Sequence, residues 1–312
     1  MKFALKKLAI LLITAIVASL FGFLFEHLIP GNPAIAILGP QANPHNIKVL
    51  TDRLGLNKPL VDQYFIWLKN MFTGHMGQAY SNGVPVRSLI AQNYAETVEL
   101  IIGSQIIALI VAIPIAFRAA LKPNKLFDRL TTLVSFSFYS FPPFVVGPIL
   151  VLIFAVKAGI LPASGYVGLS QSIPNNLKDM ALPMLTLALG SFALYSQILR
   201  AELVSILKQD FILLAKSKGL GKYKIILKHG FRLSSLSLVT ISGLQIGTLI
   251  TGAFVVEYIF QLPGLGTLIV DSINSKDYLV IQAVSVLVVV AVALVNTAVD
   301  ISYAFLDPRI RK

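Results

Sequence analysis

Apolar positions run along this chain in long blocks, not at the three- and four-residue spacing of a soluble amphipathic helix. Six stretches free of Asp, Glu, Lys and Arg, at 8–25, 100–117, 130–156, 180–199, 233–256 and 278–299, are each 18 residues or longer. At a rise of about 1.5 Å per residue such a stretch crosses a hydrocarbon core of about 30 Å. Each therefore predicts a membrane-spanning helix. Two more charge-free runs do not: 27–47 holds Pro30, Pro33, Pro40 and Pro44, and 158–177 holds Pro162, Gly165, Gly168 and Pro174. A helix facing lipid cannot leave so many backbone groups unpaired. The expected fold class is all-α, a polytopic membrane protein with six transmembrane helices.

The blocks divide the chain into a first transmembrane helix at 1–29, an external insert at 30–93, and a core at 94–312 that carries helices 2–6 and a polar loop at 200–232. The opening Lys2, Lys6 and Lys7 before an apolar run resemble a signal peptide. The run is longer than a usual signal core and no small-x-small cleavage site follows, so it is read as a retained span. In the insert, apolar residues including Val49, Leu50, Leu54, Leu60, Tyr64, Trp67, Leu68 and Met71 recur at helical spacing. They predict one helix over 45–72, packed as a small cap on the outer face. FTGHMGQAYSNG, which follows, is turn chemistry.

Composition agrees with a bilayer protein: of 312 residues 56% are hydrophobic and 13% charged, with a mean hydropathy of +0.79. The distribution of charge adds orientation. With six spans both termini share one side. That side collects Lys2, Lys6 and Lys7, then Arg118, Lys122, Lys125 and Arg129, then eight Lys and Arg from Arg200 to Arg232, and finally Arg309, Arg311 and Lys312. Positive loops stay in the cytoplasm, so both termini are expected to be cytoplasmic. Burying the six cations of LLAKSKGLGKYKIILKHGFR (213–232) instead would cost on the order of 15–20 kcal/mol. The net charge of +12 is thereby accounted for mostly by orientation, with no call for a nucleic-acid partner.

Several chemistries are disfavoured. There is no cysteine, hence no disulfide, thiolate metal site or cysteine nucleophile. GLGKYK (219–224) lacks the spacing and hydroxyl of a phosphate-binding loop. His27, His45, His75 and His229 are too scattered for a zinc site, and no G-x-S-x-G is present. No catalytic set and no bound cofactor are expected. An ion-coupled secondary transporter remains an alternative that should carry acids at mid-membrane, and the charge-free runs hold none. A membrane-bound enzyme is the other, and it should carry a converging His, Asp and Ser set. The pattern is that of a passage whose energy comes from elsewhere.

The loop at 200–232 suggests how energy reaches it. Asp210 can cap a short helix over 211–218. Lys216 and Lys218 fall in its last turn, with Gly219 placed as the left-handed terminator. Gly221 permits a second turn before a helix restarts into span five. On this reading the short helix exposes Ala215, Ser217 and Gly219 to a partner surface, Leu220 following. If the cations serve only topology, none of this is needed.

These residues resemble the cytoplasmic EAA loop of ABC importer permeases, in particular the first of two permease subunits in peptide, dipeptide and nickel importers. The resemblance runs nearly the whole chain, through LIPGNPAIAILGP (28–40), LGLNKPLVDQYFIWL (54–68), GILPASGY (159–166), QDFILLAKSKGL (209–220), VVEYIFQLPGLGTLIVDSI (255–273), KDYLVIQA (276–283) and LVNTAVDISYAFLDPRIR (294–311). It departs where the general pattern has Glu-Ala-Ala and Ile-x-Leu-Pro. Here those positions read Leu213-Leu214-Ala215 and His229-Gly230-Phe231-Arg232, so a glutamate contact to the ATPase is not implied.

The resemblance implies half of a translocation path in a bacterial inner membrane. A second homologous permease would complete the path, and two ATPase subunits carrying the ATP and Mg would dock below. An extracytoplasmic substrate-binding protein would deliver solute above, and the stretch Asp210–Gly221 would couple the permease to ATP hydrolysis. Pathway and hinge candidates are FPPFVVGP (141–148) with Pro142 and Pro143, and the intramembrane polar residues Gln105, Gln245 and Thr248. For the polar three, interhelical hydrogen bonding competes with solute contact. Asn296 and Asp300 read as a snorkelling pair near the end of span six, and QLPGLG (261–266) as a tight external turn.

Overall fold

The computed structural model describes residues 2–28, 33–38 and 42–306. Pro30 and Pro40 of the insert and the terminal Arg309, Arg311 and Lys312 lie outside the described residues. Among the described residues thirteen helices follow one another: α1 (Lys2–Leu28), α2 (Pro33–Leu38), α3 (Pro44–Leu54), α4 (Leu60–Thr73), α5 (Val86–Leu121), α6 (Leu126–Ser140), α7 (Pro143–Leu150), α8 (Ile173–Ile206), α9 (Asp210–Ser217), α10 (Lys222–Ile225), α11 (Phe231–Phe260), α12 (Leu265–Asn274) and α13 (Tyr278–Leu306). π-Helical turns extend α7 over Val151–Lys157 and join α10 to α11 over Ile226–Gly230.

Among the described residues four helical stretches are long and apolar enough to cross a membrane: Val86–Leu121, Ile173–Ile206, Lys222–Phe260 and Tyr278–Ser302. The third expected span is not one helix. Leu126–Ser140 and Pro143–Lys157 meet at 107°, because Phe141 and Pro142 are extended, with ψ of 122° and 150°. Pro142 forces its predecessor out of helical geometry, and Pro143 then starts the new helix at a position where no amide donor is required. The described apolar part of α1, Ala9–Leu24, is shorter than a full span. Among the described residues the count of crossings is thus four, or five with the bent pair, against the six expected.

The chain forms two compact units, one from residues up to Ala95 with Pro263–Leu294, the other from Glu96–Leu262 with residues from Val295 onward. In the first, residues 45–72 of the insert fall in two helices, α3 and α4, where one was expected. Asn43 caps α3 by accepting the Asn46 amide at 2.8 Å, and Gly55 ends it at φ 70°. Pro59 then bars the preceding residue from helix before α4 begins. A hairpin turn bridged at Gln78 and Pro85 follows. It is pinned by Asp277, 1% exposed, whose carboxylate accepts the Ser81 amide and hydroxyl at 3.1 Å each.

In the second unit α8 is the central helix, with Tyr195, Leu199 and Leu203 fully buried. Against it lie Ala108, Ala112, Ala116 and Ala120, one per turn of α5. Small residues at that spacing let two backbones approach closely where lipid supplies no hydrophobic drive. Glycine does the same at Gly103, where a Cβ would stand 2.3 Å from the Met184 methyl, and at Gly243, 2.4 Å from Val299.

Candidate functional site

The loop between α8 and α11 is built from short-range rules. Gln209, not Asp210, is the residue before α9, and it caps with no side-chain bond. Asp210 is the first helical residue, where its charge still favours the positive end of the helix dipole. The far end closes as expected at Gly219, φ 77°. Its amide donates to Lys216 O at 2.9 Å and the Leu220 amide to Ala215 O at 3.3 Å, the paired bonds of a Schellman terminus. Gly221 differs from expectation in making no second turn: it is extended, φ −67° and ψ 151°, and directly precedes the restart at α10.

Ala215 also differs. It is buried in a small cluster with Ile212 and Ile225, against which Leu207 and Leu220 pack. A helix of two turns must anchor one face to hold its orientation, and Ala215 belongs to that anchor. Lys216, Ser217 and Lys218 are exposed. The exposed apolar residues of this loop include Phe211 (39%), Leu213 (59%) and Leu214 (58%) on α9 and, past it, Tyr223 (73%) and Leu227 (57%). An adjacent leucine pair on a short, charge-flanked helix is the sequence signal for this face, rather than the small residues Ala215, Ser217 and Gly219.

The support under α9 is rigid on one side. Leu203 and Ile206 at the end of α8 and Ile226 at the start of the π-helical turn are buried, and a Cβ on Gly230 would meet Leu203 at 3.2 Å. Three residues higher on α8, Arg200 grips Asp128 of α6 in a two-pronged ion pair, Nη2 to Oδ2 at 2.5 Å and Nε to Oδ1. The Asn124 amide adds a bond to Asp128 Oδ2 at 2.7 Å. Asp128 is 2% exposed and Arg200 22%. The helices outrun the charge-free stretches used to find them, so this pair, with Glu96 and Glu99 on α5 and the buried Glu257 on α11, falls inside helices whose charge-free cores exclude it.

Gln105 is a tie between helices: its amide nitrogen donates to Ser242 O at 2.7 Å, and the Tyr195 hydroxyl donates to its oxygen at 2.5 Å. Gln245 is half-buried and Thr248 exposed on α11, while Pro142 and Pro143 form the corner between α6 and α7. Gln105 thus reaches α11 one turn from Gln245, and the Pro143 ring would stand 3.9 Å from a Cβ on Gly252, one turn from Thr248. In the loop before α8, Tyr166 donates to Glu99 Oε2 at 2.9 Å. Burial first, and then this carboxylate, push the phenol above its ordinary range.

Two family models match the chain. The binding-protein-dependent transport system inner membrane component covers residues 112–312, and the N-terminal model of such membrane components covers residues 1–102. Glutathione transport system permease proteins of Escherichia coli and Shigella dysenteriae are 36% identical to it over 311 residues, covering 100% of this chain and 99% of theirs. The corresponding Shigella boydii protein is 35% identical over the same span. An all-helical chain with several apolar crossings, matched from end to end in this way, belongs to the family of binding-protein-dependent transport system inner membrane components, the multi-pass permeases of ABC importers.

Proposed function

We propose that this chain is one permease of a pair that imports peptides or peptide-like solutes, glutathione among them. α9 is its coupling element. Both termini and the 200–232 loop face the cytoplasm, six segments cross the membrane, and the insert lies outside. A second homologous permease completes the path, two ATPase subunits hold ATP and Mg, and an extracytoplasmic binding protein delivers the solute. ATP chemistry belongs to those subunits, and this chain binds no cofactor. The solute class rests on the names of the glutathione permeases it is similar to, and the orientation on the placement of Lys and Arg.

The observation that carries the coupling role is the way α9 is held. Its Schellman terminus and the Ile212–Ala215–Ile225 anchor fix which face points outward, and that face offers Leu213 and Leu214. An apolar pair with flanking cations suits a partner groove, and a helix anchored on Leu207 at the end of α8 and on Ile225 of α10 passes a partner's movement to both. Only a difference in affinity between two states can drive the rocking of a permease pair. Reconstitution with candidate ATPases and binding protein tests this: Leu213→Asp with Leu214→Asp should abolish solute uptake and binding-protein stimulation of ATP hydrolysis. Full stimulation in the double variant would leave α9 a topological loop.

A further inference from the structure

The geometry points to α4 as an interfacial helix, its second apolar face set in the lipid headgroup region on the side of the membrane where α1 ends. Around the helix axis, Leu60, Tyr64, Trp67 and Met71 share one side, and Val61, Phe65, Leu68 and Phe72 share the adjoining one. The first side is used. The Tyr64 and Trp67 rings lie 5.5 Å and 5.9 Å from the Phe23 ring of α1. The Tyr64 hydroxyl bonds Ser19 Oγ at 2.8 Å, which itself donates to Ile16 O.

Among the described residues the second side is left largely open, Leu68 alone on it being half-buried. Val61 is 65% exposed, Phe65 61% and Phe72 85%, and no residue of α4 is buried. What covers it follows from where the first side is fastened. Ser19 and Phe23 belong to the apolar stretch Ala9–Leu24, and Ser19 stands about 7 Å below its end at 1.5 Å per residue. A helix strapped to α1 at that depth is at the level where interfacial helices lie, about 5–10 Å into the headgroup and acyl boundary. α1 is likewise apolar and open over this stretch, with Ile13, Ile16 and Phe21 each more than half exposed. Asp62, Lys69 and Asn70 fall on the opposite, exposed side, as an interface demands. The occupant is phospholipid, not a soluble partner. The inference rests on α1 entering the bilayer and is independent of the solute carried.

The absence of cysteine permits a direct test in the full chain reconstituted in phosphatidylcholine–phosphatidylglycerol vesicles. Spin labels are placed singly at Phe65→Cys, Phe72→Cys, Lys69→Cys and, on α1, Phe21→Cys, and relaxation by oxygen is compared with that by a water-soluble nickel chelate equilibrated on both sides. Labels at 65, 72 and 21 should favour oxygen several-fold over the label at 69. Chelate access at 65 and 72 equal to that at 69, with 21 still lipid-exposed, overturns the interfacial placement alone. Labels at 65 and 72 shielded from both reagents mean a protein partner covers the face, which also overturns it. Chelate access at 21 removes the membrane placement of α1, and the inference falls with it.

Discussion

Gly219 and Gly221 stand two positions apart in one loop, yet the backbone asks different things of them. Gly219 sits at φ 77°, where a Cβ is strained even though nothing in the chain lies within 4 Å of it. Gly221 is at φ −67°, ordinary for any residue. Gly219→Val should cost about 1–2 kcal/mol in the local turn, misplace α9, and remove binding-protein stimulation of ATP hydrolysis in the assembled transporter. Gly221→Ala should leave that stimulation unchanged. Equal effects of the two substitutions would show that loop composition, not the Schellman turn, is what matters. A second residue-scale test concerns Asp128. Asp128→Ala leaves Arg200 without its partner and should destabilise by about 3 kcal/mol, the lower end for a buried pair because Arg200 keeps some exposure. Adding Arg200→Leu should recover part of the loss, read as the thermal unfolding midpoint in detergent.

At the scale of elements, the α1–α4 contact has a predicted strength. Tyr64→Phe deletes the bond to Ser19 and should cost about 1 kcal/mol. Trp67 is half-buried, so Trp67→Ala should cost less than the 3–5 kcal/mol typical of a fully buried aromatic, about half of it. In both variants proteolysis between Gly55 and Pro59 should quicken. Unchanged cleavage would mean that α4 is not held by α1. The same elements show what a sequence discloses. The apolar blocks and the turn glycine Gly219 were legible because both obey local rules. The break at Gly55–Pro59 was equally local but was overridden by an apolar periodicity that runs through it. Pro142 and Pro143 announced a bend without its 107° size, since packing of α7 against α8 and α11 sets the angle. The burial of Ala215 has no local signal, because it depends on Ile225, which is ten positions on and beyond two glycines. The Asp128–Arg200 pair, 72 positions apart, has no local signal at all.

At the scale of the whole molecule, charge placement and helix length constrain one another. α5 has 36 residues and α8 has 34, about 54 and 51 Å at 1.5 Å per residue, against a hydrocarbon core of about 30 Å. Both must project beyond the bilayer. Their ends carry the ionisable side chains of these two helices: Arg87, Glu96 and Glu99 toward the start of α5 and Arg118 near its end, Lys178 and Asp179 in the first turns of α8 and Arg200 and Glu202 near its end. If the basic loops are cytoplasmic, the carboxylates at the start of α5 lie on the opposite side with Tyr166. The arrangement makes topology testable without disturbing a native thiol. Lys122→Cys and Lys222→Cys should react with an impermeant maleimide only after the cells are opened, whereas Asn57→Cys, Gln171→Cys and Asn274→Cys should react from outside in intact cells. Labelling of Lys222→Cys from outside would invert or break the proposed six-crossing arrangement. It would also remove α9 from the compartment where ATP is made available, and the coupling role with it. Labelling in the expected pattern fixes the odd and even crossings independently of whether α6 and α7 traverse the bilayer as a bent pair or one of them turns back within it, because an even number of crossings between Asn57 and Gln171 is required in either case.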